Sequence, residues 1–118
     1  MSYKDLDLWK VSMDLVVYVY QMTAKFPKTE LYGLTSQIQR AIVSIPSNIA
    51  EGSSRKGTKE FIQFLWIANA SLSEFETQLE IAFRLGYVID TEKYIEKVKH
   101  IRKMLHGLIR SLEGKQKC

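Results

Sequence analysis

The chain has 118 residues, 46% of them hydrophobic and 25% charged, with two prolines, six glycines and a formal net charge of +4. That length can enclose one core without disulfides or metal, and the composition excludes a disordered or low-complexity chain. The one cysteine is Cys118, which excludes an internal disulfide framework and a cysteine-based zinc site. It suits a reducing compartment, so a cytoplasmic protein is expected. The opening residues carry Asp5 and Asp7 where a signal peptide needs a basic start and an apolar run, and no apolar stretch approaches the roughly 18 residues of a membrane span. Neither secretion nor a membrane partner is expected. The charge is uneven: residues 91–118 hold eight basic and three acidic residues, whereas the first ninety sum to −1. Such asymmetry points to an anionic partner for the C-terminal part.

Four segments carry helical periodicity, and short turn signals separate them. The first spans about residues 6–25 and stops at Phe26-Pro27, because the residue before a proline is pushed out of the helical region. The second spans about 34–53, with an apolar stripe of Leu34, Ile38, Ala41, Ile42, Ile45 and Ile49. Its Pro46 removes the hydrogen bond to the Ile42 carbonyl, which predicts a kink, with Ser44 or Ser47 available to capture the freed group. The third runs from about Thr58, read as its N-cap, to Leu85, with a core stripe of Phe61, Phe64, Leu65, Ala68, Leu72, Phe75, Leu79, Ala82 and Phe83. Gly86 ends it. Asp90 caps the fourth, about 91–112, whose inward face is Tyr94, Ile95, Val98, Ile101, Leu105, Leu108, Ile109 and Leu112. Long helices joined by short turns predict an all-α, antiparallel up-and-down four-helix bundle, a single domain over residues 1–118.

The first helix is unusual in carrying two apolar stripes. Leu6, Trp9, Met13, Val16, Val17, Tyr20 and Ala24 make an ordinary core-facing row. Leu8, Val11, Leu15, Tyr18, Val19, Met22 and Phe26 form a second row on nearly the opposite side. Burying the second row is worth on the order of 10–20 kcal/mol as an upper bound, and leaving it wet exceeds the usual apolar patch of a monomer. Either loops or the kink of the second helix cover it, or the chain is a homo-oligomer with Leu8, Val11, Leu15, Tyr18, Val19 and Met22 in the subunit contact. Trp66 and Ile62, away from the core stripe of the third helix, are candidates for the matching surface.

No motif supports catalysis. Gly52-Ser-Ser-Arg-Lys-Gly57-Thr58-Lys59 has the residues of a phosphate-binding loop in the wrong order and joins two helices, whereas a P-loop follows a strand. The start of the third helix can still offer backbone N–H groups beside Arg55, Lys56 and Lys59 to a phosphate oxygen, or be a plain solvated loop. His100 and His106 lie about 120° apart around the fourth helix and cannot share a metal, so no metal or other cofactor is expected. Acids and hydroxyls form no catalytic constellation, and the chain is not expected to be an enzyme. Arg40, Ser44, Ser47, Asn48 and Glu51 line one polar side of the second helix. They read as an internal network, with Arg40 and Glu51 paired through neighbours, that fixes how the helices meet, or else Arg40 faces a partner. Lys99, Arg102, Lys103, His106 and Arg110 share the outward face of the fourth helix, either a solvated surface or, repeated around an oligomer, a multivalent basic one.

The run Ser44-Ile-Pro-Ser-Asn-Ile-Ala-Glu-Gly52, followed by Lys59-Glu-Phe-Ile-Gln-Phe-Leu65, Glu74-Phe-Glu-Thr-Gln-Leu-Glu-Ile-Ala82 and Leu85-Gly-Tyr87, closely resembles the four-helix-bundle proteins encoded by intervening sequences in bacterial 23S ribosomal RNA genes. The resemblance implies a four-helix bundle assembled as a ring-shaped homopentamer. That family is also similar to the accessory variability protein of diversity-generating retroelements, a basic pentamer that associates with a reverse transcriptase and nucleic acid. The signature polar positions carried over by the resemblance are Arg40, Ser44, Asn48, Glu51 and Glu60. The chain departs in having Ala70 where glycine is common and Phe75 where leucine is common.

These readings give two expectations for function. The first is a homo-oligomer binding RNA or DNA without base specificity through Arg55, Lys56, Lys59, Lys99, Arg102, Lys103 and Arg110. The second is a protein-interaction scaffold, for example a reverse-transcriptase accessory protein, in which the charge serves solubility.

Overall fold

The computed structural model describes residues 2–117; Cys118, on which the expectation of a reducing compartment rested, lies outside the described residues. A single 3-10 turn, Tyr3–Asp5, leads into α1 (Asp7–Thr23). A second 3-10 turn, Lys28–Glu30, precedes α2 (Leu34–Ser53), which is followed by α3 (Thr58–Arg84) and α4 (Glu92–Lys117). No strand occurs among the described residues. Each helix packs on its neighbours in sequence and α4 returns against α1, whereas among the described residues the backbones of the diagonal pairs, α1 with α3 and α2 with α4, do not approach closely. This closed cycle is the up-and-down four-helix arrangement. The bundle is a rod of 51 × 23 × 20 Å.

Local chemistry sets the ends of the helices. The last turn of α1 tightens, with the N–H groups of Lys25 and Phe26 donating to the carbonyls of Met22 and Thr23 at 3.2 and 3.0 Å. The helix therefore ends slightly before the predicted Lys25. Glu30 caps α2, its Oε1 accepting from Leu34 N–H at 3.1 Å. Pro46 is buried inside α2 and the helix continues through it. Gly57, rather than Thr58, occupies the cap position of α3, and Thr58 is the first helical residue. At the other end of α3, Gly86 has φ +81°. Its N–H donates to Phe83 O at 3.0 Å and that of Tyr87 to Ala82 O at 2.9 Å, a Schellman closure. Asp90 accepts from Glu92 N–H at 3.0 Å and so caps α4 as expected.

The core is built from Leu15, Val19, Ile38, Ile42, Ile45, Ile49, Leu65, Leu72, Phe75, Leu79, Ile101 and Leu105, all essentially inaccessible. The stripes of α2 and α4 face inward as predicted, but α1 is turned the other way round. Leu8, Leu15, Val19, Met22 and Phe26 belong to the chain's own core, while Met13, Val17 and Tyr20 of the expected core stripe are exposed. The physical reason lies in the side chains. The inward row supplies Leu8, Leu15, Met22 and Phe26, larger apolar side chains than Val16, Val17 and Ala24 of the other row, so turning it inward removes more apolar surface from water. Ser12 completes the inward row at a spacing of four and three, and its hydroxyl is satisfied by Leu8 O at 2.8 Å. On α3, Ile62 is buried and Phe83 is exposed, the reverse of the expectation for both.

Candidate nucleic-acid interface

The basic face of α4 follows from helical spacing. Lys99, Lys103, His106 and Arg110, separated by four, three and four residues, fall within an arc of about 60° and along about 16 Å of axis. Lys99, Lys103 and Arg110 are exposed, with no acidic partner among the described residues. A shallow surface concavity of about 540 Å³ is lined by Glu96, Lys99, His100, Arg102, Lys103 and His106.

Arg102, grouped with these cations from the sequence, is held differently. Its Nη2 lies 2.9 Å from Glu76 Oε1 and donates to Ser73 Oγ at 2.9 Å, both across the seam with α3. The guanidinium is neutralised by its own fold and locks α3 to α4. Arg55 is also paired, 2.8 Å from Glu51 and 3.8 Å from Glu60, with its guanidinium 5.1 Å from the Phe64 ring centroid. The Arg55–Glu51 pair is about half exposed on both sides, so exchanging the carboxylate for a phosphate would cost under about 1 kcal/mol. Lys56 and Lys59 are exposed beside it.

The expected polar network of α2 divides in two. Asn48 Nδ2 donates to the carbonyl and the hydroxyl of Ser44 at 2.7 and 2.8 Å, and Ser71 of α3 donates to the same hydroxyl at 3.0 Å. Glu51 turns to Arg55, and Arg40 stays exposed and takes no part. Ser44 thus links α2 to α3. Gly52 sits where those helices approach closely: a Cβ there would stand 2.6 Å from Phe64 Cβ and 3.0 Å from Phe61 Cδ1.

The residues expected at a subunit contact are dispersed. Leu8, Leu15, Val19 and Met22 are already buried inside the chain and are unavailable to a partner; Val11 is half-buried. Tyr18 is exposed with the Lys97 ammonium 4.6 Å from its ring centroid. Trp66 is 47% exposed, its ring 5.8 Å from that of His106. The outward apolar surface of α1 is instead the other stripe, where Val16, Val17, Tyr20, Gln21 and Ala24 with Val43 of α2 line a shallow groove of about 530 Å³.

Two features went unread in the sequence. Tyr87 O–H donates to Glu30 Oε2 at 2.9 Å, and its ring lies 5.4 Å from that of Phe26, clasping the α1–α2 and α3–α4 connections together. That hydrogen bond, then burial and the carboxylate charge, raises the Tyr87 pKa above its ordinary value. On the same connections Leu31, Tyr32, Leu85 and Ile89 are exposed, Tyr32 and Ile89 at 93% each. Among the described residues no three His, Cys, Asp or Glu side chains gather where a metal ion could be held, and no helix is long and apolar enough to cross a membrane.

Residues 4–107 match the family described as 23S rRNA-intervening sequence protein. The chain belongs to this family. No curated relative matches it. The match covers α1, α2 and α3 whole and α4 as far as Gly107. Lys99, Arg102 and Lys103 therefore lie within the family segment, and Arg110 lies beyond it.

Proposed function

We propose that this member of the 23S rRNA-intervening sequence proteins is a non-enzymatic, self-associating bundle that binds the phosphate backbone of RNA or DNA. The observation that carries the reading is the row Lys99, Lys103 and Arg110, three exposed cations on one helix face with no acidic partner among the described residues. Arg102 positions that face through Glu76 and Ser73 instead of adding free charge to it. Arg55, Lys56 and Lys59 extend the basic surface at the end of the bundle where α3 begins. Self-association is supported by the outward stripe of α1, whose groove is lined almost wholly by apolar side chains. A homopentamer, the assembly implied by the family resemblance, would repeat the basic row and raise avidity without new contacts.

The test is retention of RNA and DNA as a function of salt. Each phosphate contact contributes about −0.9 to the slope of log affinity against log salt for a duplex. Reversing Lys99→Glu, Lys103→Glu and Arg110→Glu together is expected to weaken binding strongly and flatten the slope by about 2–3. Binding that is absent, or insensitive to salt, would overturn the proposal. A second reading, a scaffold for a protein partner such as a reverse transcriptase, is favoured by one observation: Leu31, Tyr32, Leu85 and Ile89 stand exposed together at one end. It predicts capture of that partner by the intact chain and loss of capture on Tyr32→Ser with Ile89→Ser, with the charge reversals having no effect.

A further inference from the structure

We infer that Trp66 is a stacking platform for an unpaired base, so that the preferred ligand of the basic surface is single-stranded nucleic acid. The inference rests on the proposed backbone binding and deepens it.

Trp66 is an aromatic side chain left 47% exposed in the first third of α3. One side of the indole is held by His106, with ring centroids 5.8 Å apart and planes at 50°, which fixes it at the α3–α4 seam. Helical spacing places cations around it. Lys103 and Arg110 lie about one turn before and after His106 on α4, and Lys59 lies two turns before Trp66 on the same side of α3. The acids nearest Trp66 on α3 are directed elsewhere: Glu60 and Glu74 fall about 120° and 80° round the helix from it. Glu60 also lies 3.8 Å from Arg55, and Glu76 is engaged by Arg102. Glu113 stands two turns, about 10 Å, beyond His106.

A wet indole framed by lysine and arginine has the two components of single-strand binding, a charged track for the backbone and a π-face for the base. Duplex bases are already stacked and cannot reach it. A second copy of the same face would bring lysine against lysine, which argues against self-pairing there.

The experiment uses the intact chain in a Trp9→Phe background, so that emission reports Trp66 alone. It is titrated with a single-stranded oligonucleotide of about 12 nucleotides and with the matched duplex. Quenching is expected with the single strand and not with the duplex. Trp66→Ala is expected to weaken single-strand affinity about tenfold, with duplex affinity and the salt slope unchanged, and Trp66→Phe to restore most of the loss. Salt-sensitive binding of both ligands with Trp66 emission unmoved and Trp66→Ala neutral would overturn this inference and leave the basic surface standing. Failure to bind either ligand would overturn both. A Trp66→Ala change in oligomeric mass by light scattering would make the indole a subunit contact and overturn the inference as well.

Discussion

The two ends of the rod are built on opposite principles. At one end the α1–α2 and α3–α4 connections are tied to each other by Tyr87 and Glu30 and closed by the Gly86 turn, yet they hold Leu31, Tyr32, Leu85 and Ile89 out in solvent. At the other end the α2–α3 connection is short and polar, carries Arg55 and Lys56 with Lys59 just inside α3, and is held by the close approach of the two helices at Gly52. One end is fixed by a polar clasp and shows apolar tips; the other is fixed by a tight helix contact and shows charge. Rigidity and surface chemistry are thus supplied by different residues at each end, so either can be altered without the other.

The largest effect is expected at the basic end. Gly52→Val would force side-chain atoms into Phe61 and Phe64, and overpacking of this kind costs about 2–3 kcal/mol. Urea unfolding should show a lower midpoint with an unchanged m-value. An unaltered midpoint would mean that the α2–α3 approach is not tight.

A smaller effect is expected at the clasped end. Tyr87→Phe removes the donor to Glu30 and should lower the Tm modestly. Its signature is in the pH dependence. Because the folded pKa of Tyr87 is raised, the clasp contributes fully below the ordinary tyrosine value of about 10 and is lost as pH rises through the folded value. The difference in Tm between the parent chain and Tyr87→Phe should therefore be present at pH 8 and shrink at strongly alkaline pH. A difference that grows with pH would refute the assignment.

The smallest effect has the opposite sign. Gly107 lies inside α4 with open space where a Cβ would be. Gly107→Ala should raise stability by about 0.5–1 kcal/mol through helix propensity alone. Set beside Gly52→Val, it separates a glycine required by packing from one that is not.

Much of this architecture could be read from the chain. The bounds of α2 follow from Gly33 and the apolar row ending at Ile49, and the Gly86 stop and Asp90 cap are local signals that the fold keeps. The orientation of α1 was not legible, because two apolar rows compete and Ser12 interrupts the one that turns inward. Periodicity located the α4 cations, since a helix face needs only spacing. It could not separate Arg102 from Lys99, because the pairing with Glu76 depends on the register between two helices. The Tyr87–Glu30 clasp spans 57 residues of sequence and is set by the bundle's closure.

The packing is unequal around the ring of helices: α2 and α3 share the most extensive contact, and α1 and α4 the least. The central hairpin is therefore a keel, and the seam between the outer two helices is where a native molecule would unzip first. Amides at the outer helix ends should exchange with deuterium well before those around Ile45 and Leu65. Protection should therefore grade from the α2–α3 pair, where it is strongest, outward to the α1–α4 seam.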